Sequence, residues 1–149
     1  FTEALCYNTC LNRKIFIDSK GNVKNCPNMA KAYGNINDTK LCYLIDNSSF
    51  KELWTLNKDN INICKDCEFR YACTDCRAFV KSPISKYSQP IRCRYNPYIC
   101  QKEGQKFYIP VEKCGTYDNN NKFVPNKQYI EEVYKEISKQ INIYNQILE

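Results

Sequence analysis

The run from Cys64 to Cys76 constrains this chain more than any other stretch, because cysteines stand at positions 64, 67, 73 and 76. Four thiols within thirteen residues cannot lie far apart in any fold. Three kinds of chemistry are open to them: disulfide bonds, a zinc site, or iron–sulfur clusters. The choice among the three decides what kind of protein the sequence encodes.

Disulfide bonds fit this cysteine pattern least well. The chain has eleven cysteines, an odd number, and only 4 Gly and 6 Pro in 149 residues. Secreted disulfide frameworks are usually shorter and richer in turn residues than this. No hydrophobic export segment precedes the first cysteines, Cys6 and Cys10. We therefore expect thiols rather than disulfides, in a cytoplasmic protein.

Zinc is the stronger competitor, because two Cys-x2-Cys pairs are typical of zinc sites. Zinc ribbons separate such pairs by roughly 12–20 residues, so that each pair forms its own knuckle. Here only residues 68–72 lie between the pairs, and the chain contains no His. The short spacer favours three sulfurs on one centre and the fourth on another, a sharing that occurs in ferredoxins. The spacing favours iron–sulfur chemistry, with zinc as the alternative.

Other cysteines extend the pattern on both sides. Upstream, ten residues separate Cys10 from Gly21 and four separate Gly21 from Cys26; downstream, Cys93 lies in Arg-Cys-Arg-Tyr-Asn-Pro-Tyr. This order resembles the SPASM domain, the auxiliary-cluster domain of many radical-SAM peptide and protein maturases. The resemblance covers about residues 6–100. The local sequence around the cysteines, such as Lys-Asn-Cys-Pro-Asn-Met at 24–29, looks most like that of SPASM proteins found beside ATP-grasp peptide ligases.

The resemblance implies two [4Fe-4S] clusters with separate ligand sets. Cys42 is a rival to Cys6 as the fourth ligand of the first cluster, although its apolar surroundings favour a buried thiol. An open coordination site on this cluster is the third alternative. Cys100 and Cys114 match no ligand pattern, and we interpret them as structural. The implied ligands of the second cluster are Cys64, Cys67, Cys73 and Cys93. Those of the first cluster are Cys10, Cys26, Cys76 and Cys6, of which Cys6 differs in spacing from the corresponding cysteine of the family.

The resemblance also implies a function. The chain would be part of, or partner to, a radical-SAM peptide maturase, relaying electrons or positioning the precursor peptide. Its expected partners are that peptide and a radical-SAM core or an ATP-grasp ligase. The competing hypothesis is a non-catalytic peptide-binding adaptor whose clusters, or zinc, only hold the fold together.

The chain itself lacks the radical-SAM motif Cys-x3-Cys-x2-Cys. Cys6 and Cys10 supply the first interval, but Arg13 stands where the third ligand belongs. At 149 residues the chain is also shorter than a barrel of this type, which needs roughly 200 residues or more. We therefore expect neither an S-adenosylmethionine site nor a catalytic residue in this chain.

Charge and hydropathy argue against two other classes of partner. The formal net charge is +6, but two thiolate-ligated clusters would reduce it to about +2. The basic balance then gives little support to nucleic-acid binding. No stretch approaches the ~18–20 apolar residues that a membrane span requires. The mean hydropathy of −0.63 indicates a thin apolar core, which metal binding would supplement.

The expected fold is a small, irregular, metal-stapled α+β domain of β-hairpins and short helices, with an amphipathic helix at the C-terminus. We expect a SPASM-like twin-cluster domain over 1–100, an irregular extension over 101–125 and the helix over 126–149. Residues 14–18 and 22–26 predict a hairpin in which Gly21 supplies the positive φ of the turn. Residues 40–46 and 107–111 predict short strands, and 115–123 a turn.

Two helices are predicted from apolar spacing. The first spans 50–56, with Ser48 or Ser49 as its cap and Trp54 packed in the core. The second carries an apolar stripe along its length. Such a stripe ordinarily packs against its own domain, and the alternative is that it docks a partner or an N-terminal part of a larger protein. The stripe consists of Ile130, Tyr134, Ile137, Ile141, Tyr144 and Leu148.

Overall fold

The computed structural model describes the backbone of residues 1–148 and their side chains, except those at positions 144, 145, 147 and 148. The predicted positions of Tyr144 and Leu148 on the apolar stripe therefore lie outside the described side chains. The chain divides into two compact units, Phe1–Arg92 and Cys93–Glu149. Short helices and small antiparallel hairpins occur in the described residues, which confirms the α+β class.

The first unit is built from short elements joined by turns. Helix α1 spans Thr2–Cys6, strands β1 and β2 span Phe16–Ile17 and Val23–Lys24, and helices α2 and α3 span Leu41–Asp46 and Ser48–Lys51. Two 3₁₀ helices follow, at Lys58–Asn60 and Cys64–Asp66.

The predicted hairpin is confirmed. Strands β1 and β2 pair antiparallel, with Ile17 opposite Val23. Gly21 closes the turn with φ of +82°, where an added Cβ would lie 2.8 Å from the side-chain oxygen of Asn35. Asp18 fixes the turn by accepting hydrogen bonds from the backbone amides of Lys20 and Asn22, each at 3.0 Å. Strand β2 therefore leads directly toward Cys26.

The predicted strand at 40–46 is wrong, because this segment forms helix α2. A helix buries Leu44 against Val23 and Phe50 while its other side faces solvent. The expectation of a buried thiol at Cys42 is also wrong, since the helix places this side chain in solvent. A short apolar run does not distinguish helix from strand by its spacing alone.

The predicted helix at 50–56 is wrong in its bounds and in its cap. Helix α3 ends at Lys51, and the side chain of Asn47 caps it by accepting a 2.9 Å hydrogen bond from the amide of Ser49. The expected packing role of Trp54 is confirmed. Its ring meets Phe50 edge to face at 5.6 Å, and its indole N–H donates to Asn25 at 2.9 Å.

The second unit contains two hairpins and the long helix. Strands β3 and β4 span Tyr95–Asn96 and Gln101–Lys102, and strands β5 and β6 span Gly115–Tyr117 and Phe123–Pro125. The predicted turn is confirmed between β5 and β6, where Asn121 has φ of +56°. The predicted strand at 107–111 is wrong: no strand is assigned to those described residues, and a 3₁₀ helix begins at Val111.

Helix α4 spans Lys127–Leu148, close to the predicted bounds. The side chain of Asn126 caps it by accepting a 3.1 Å hydrogen bond from the amide of Tyr129. Val133 and Ile137 are half-buried and line a groove together with residues 106–109 of the same unit, whereas Tyr134 and Ile141 of the predicted stripe are exposed. Among the described residues, no helix has the length and apolar character needed to cross a membrane.

Candidate metal centre

The structure describes all eleven cysteines as thiols. Burial varies strongly among the eight predicted cluster ligands. Cys64 is buried; Cys10, Cys26, Cys67, Cys76 and Cys93 are half-buried; Cys6 and Cys73 are exposed. We call Cys64, Cys67, Cys73 and Cys76 the double-pair motif. Exposure increases from its first cysteine to its third, which is expected where a site lies at the edge of the buried core.

The structure brings Cys10, Cys26 and Cys76 into one electrostatic neighbourhood. Burial raises the pKa of the Cys10 thiol above its ordinary value, and negative charge on Cys76 and Cys26 raises it further. Lys14 opposes this shift by favouring the thiolate. A cation or a metal is the usual means of stabilising thiolates that repel each other in this way.

The backbone at Cys10 is held in place by Asn8, which is fully buried. The side-chain oxygen of Asn8 accepts hydrogen bonds of 3.0 Å from the amides of Cys10 and Leu11. Its amide group donates to a carboxylate oxygen of Asp75 at 2.8 Å. Asn8 thus links the turn that carries Cys10 to the residue directly before Cys76.

Cys64 follows a strained turn. Ile63 has φ of +69° and ψ of −45°, and the amide of Cys64 donates to the carbonyl of Asn62 at 2.7 Å. These values define a γ-turn of the rare positive-φ form. A buried, β-branched residue in this conformation is a real outlier that the surrounding structure must hold in place. The strain occurs directly before the first cysteine of the double-pair motif.

Local turns determine the positions of Cys67 and Cys73 in this motif. The amide of Cys67 donates to the carbonyl of Cys64 at 3.0 Å, which closes the 3₁₀ turn. The amide of Cys73 donates to the carbonyl of Phe69 at 2.9 Å, so residues 69–73 form a single helical turn. This compact turn returns Cys73 toward Cys64.

A buried lysine lies between these two thiols. The ammonium of Lys58 is 3.4 Å from the sulfur of Cys73 and 4.0 Å from the sulfur of Cys64. The residue is only 5% exposed. Burial alone would lower the pKa of this ammonium, but Cys64, Cys73 and Asp75 outweigh burial and raise the pKa above its ordinary value. Lys58 is therefore held as a cation against sulfur.

Asp75 joins the two sulfur neighbourhoods. One carboxylate oxygen accepts from Arg77 and lies 3.9 Å from the ammonium of Lys58; the other accepts from Asn8. Burial raises the pKa of the Asp75 carboxyl, although Arg77 and Lys58 oppose the shift. Asp75 thus lies beside two cations, and each of them favours the ionised form of its carboxyl group.

The sequence alone does not identify Lys58, Asp75 or Asn8 as residues of the site, because they belong to no recognisable motif. Two arginines lie close to these cysteines in sequence: Arg70 stands between Cys67 and Cys73, and Arg77 directly follows Cys76. The structure places Arg70 in an exposed ion pair with Asp59 at 3.0 Å, whereas Arg77 is buried against Asp75. A lysine in a polar loop before the motif gave no signal, since most lysines are solvated.

Three further cysteines, Cys93, Cys100 and Cys114, lie in the second unit. The sulfur of Cys93 donates to the carbonyl of Tyr95 at 3.8 Å. Cys114 is fully buried and accepts a 3.2 Å hydrogen bond from Asn96, in agreement with a structural role. Cys100 is exposed, with its sulfur 3.3 Å from the Tyr134 hydroxyl.

The donor set suits a thiolate site. No three Cys, Asp or Glu side chains in the described chain converge closely enough to hold a metal ion, so the described thiols form neighbourhoods rather than a closed cage. Because the chain contains no His, its soft donors are sulfurs alone. Sulfur-only ligation is typical of iron–sulfur clusters and of zinc sites built from four cysteines.

Comparison with known proteins provides no relative from which a role could be transferred. No family model, no curated protein and no solved structure matches this chain. The chemistry of the site therefore rests on its own residues.

Proposed function

We propose that this chain is an iron–sulfur cluster-binding domain that acts in the maturation of a ribosomally made peptide, as part of or beside a radical-SAM-type maturase. The observation that supports this most is the division of the thiols into two neighbourhoods. Negative charge on Cys76 and Cys26 raises the pKa of Cys10, while Cys64 and Cys73 share Lys58. A single zinc ion at the double pair would need Cys76 beside Cys64 and Cys73.

The proposed ligand sets are those that the SPASM-like spacing implies, and the division of the thiols supports them for five of the eight cysteines, namely Cys10, Cys26, Cys76, Cys64 and Cys73. The clusters, when bound, would supply one-electron transfer at low potential. The first set is Cys10, Cys26, Cys76 and Cys6; the second is Cys64, Cys67, Cys73 and Cys93.

The protein residues around these sulfurs have definable tasks. Asn8 orients the backbone at Cys10, and the strained turn at Ile63 directs Cys64 into the buried side of the site. Ile61 and Ile63 are almost completely buried next to this turn, which keeps water away from Cys64. Excluding water lowers the local dielectric constant, which would strengthen the interaction of nearby charges with a bound cluster.

The proposed partners are the precursor peptide and a radical-SAM core or an ATP-grasp ligase. The proposed location is the cytoplasm, because all eleven cysteines are thiols and thiols persist where glutathione and thioredoxin keep proteins reduced. In this proposal the chain relays electrons to or from the reaction centre, or holds the peptide beside it.

The test is anaerobic reconstitution with iron and sulfide, followed by metal analysis and potentiometric EPR of the reduced chain. About eight irons with a low-potential couple support electron relay. Clusters that no accessible potential reduces favour the adaptor, in which they only stabilise the fold. About one zinc per four thiols without visible absorption overturns the iron–sulfur assignment.

A further inference from the structure

Three buried ionisable residues of the first unit do not balance in charge. Lys58, Asp75 and Arg77 are 5%, 1% and 8% exposed. Two are cations and one is an anion, so the set carries one positive charge in excess. An ammonium without a counter-charge is costly in a protein interior. The missing negative charge must come from a neighbour.

Arg77 already has an anion in direct contact, the Asp75 carboxylate. Its guanidinium donates to the Asp75 carboxylate and also to the carbonyls of Lys86 and Ser88, at 3.1 Å and 2.8 Å. Asp75 is closer to Arg77 than to Lys58, whose ammonium lies 3.9 Å away. The excess charge therefore belongs to Lys58.

The nearest remaining groups to the Lys58 ammonium are sulfurs. Its 3.4 Å distance to Cys73 is within hydrogen-bonding range for an N–H···S contact, and Cys64 follows at 4.0 Å. Both sulfurs are assigned to the second cluster in the proposed function. A fixed cation that hydrogen-bonds to cluster sulfur stabilises the reduced, more negative state, because charge and hydrogen bonds at the sulfurs set the potential.

We infer that Lys58 is the buried counter-cation of the second cluster and sets its reduction potential through Cys73 and Cys64, while Asp75 orients the ammonium. This inference rests on the proposed function. Lys58 is a positioning and tuning residue, not a ligand. The Lys58 ammonium forms an ion pair with Asp75 at 3.9 Å, and hydrogen bonds lead from Asp75 through Asn8 to the backbone of Cys10, so the polar network reaches from one thiol neighbourhood to the other.

The experiment compares the reconstituted wild-type chain with Lys58→Met, which removes the charge and the donors, and Lys58→Gln, which keeps an N–H donor. Lys65→Met is the matched control, because Lys65 directly follows Cys64 but is exposed. Iron is counted first, and the potential of each cluster is then measured by EPR titration. Exchangeable deuterons coupled to the cluster are detected by pulsed EPR.

We expect Lys58→Met to shift the reduction equilibrium of one cluster by tenfold or more toward the oxidised state, which is about 59 mV for one electron. The shift in Lys58→Gln is smaller, and the coupled deuteron is lost only in Lys58→Met. Loss of half the iron in both Lys58 variants also supports the inference, because it assigns Lys58 to one cluster.

Three results overturn the inference. Unchanged potentials in both Lys58 variants with full iron show that the cation does not act on a cluster. An equal shift in Lys65→Met shows that any nearby charge suffices. Loss of all iron in both Lys58 variants shows that Lys58 only supports the fold. An absence of iron from the wild-type chain instead refutes the proposed function, so the two failures are distinguishable.

Discussion

Replacing Asp75 by Asn removes the carboxylate that lies between two buried cations. The side chains of Asp75 and Arg77 are each 2% exposed and that of Lys58 is 6% exposed. Removing one partner of a buried ion pair typically costs about 3–5 kcal/mol, since the remaining charge stays buried without compensation. We expect Asp75→Asn to lower the free energy of unfolding by that amount, which is a large part of the stability of a small domain.

The assay is anaerobic urea unfolding of the reconstituted chain, followed by circular dichroism. Glu52→Gln is the matched control, because it breaks the Glu52–Lys86 ion pair of 2.8 Å between half-exposed side chains, and surface pairs contribute little. The double variant Asp75→Asn/Arg77→Met should lose less than the sum of the two single variants, because it removes both charges of the pair. If Asp75→Asn costs no more than Glu52→Gln, the buried charge network does not stabilise this unit.

Three further substitutions or measurements test the first unit. Phe50→Ala should cost about 3–5 kcal/mol in urea unfolding, because Phe50 is completely buried. Gly21→Ala should cost more than about 1 kcal/mol, because φ is +82° and the new Cβ would meet Asn35 at 2.8 Å; an unchanged midpoint contradicts this. Hydrogen bonds from the side chain and then the backbone of Asn22 hold the pKa of Asp18 well below its usual range. The stability that this carboxylate contributes is therefore present above the unfolded pKa of about 3.9 and is lost as pH falls through the folded pKa. The carboxyl carbon resonance of Asp18 should stay in its ionised position at pH 4, and a midpoint of titration near 3.9 would refute the argument.

Some elements are predictable because their signals are local. The hairpin around Gly21 follows from alternation on both sides of a residue that tolerates positive φ. Helix α4 is predictable because its apolar residues recur at helical spacing over several turns, and so long a pattern rarely arises by chance. In both cases neighbouring residues determine the conformation.

Other features depend on contacts between residues distant in sequence. Helix α2 forms because Leu44 can pack on Val23 and Phe50, and the short apolar run within residues 40–46 carries no trace of those partners. The γ-turn at Ile63 contradicts the preference of a β-branched residue, so only the surrounding structure explains it. Lys58 and Asp75 stand 17 residues apart in the numbering without a motif, and only the fold reveals that both are buried together.

The central claim is that the sulfurs of Cys73 and Cys76 serve different metal centres although only two residues separate them. Iron analysis of the reconstituted variants Cys73→Ser, Cys76→Ser and the double variant tests it, with the exposed Cys100→Ser as control. Each single variant should lose about four irons from a different cluster, and the double variant about eight. If the double variant loses no more iron than either single variant, the two cysteines share one site and the account is wrong.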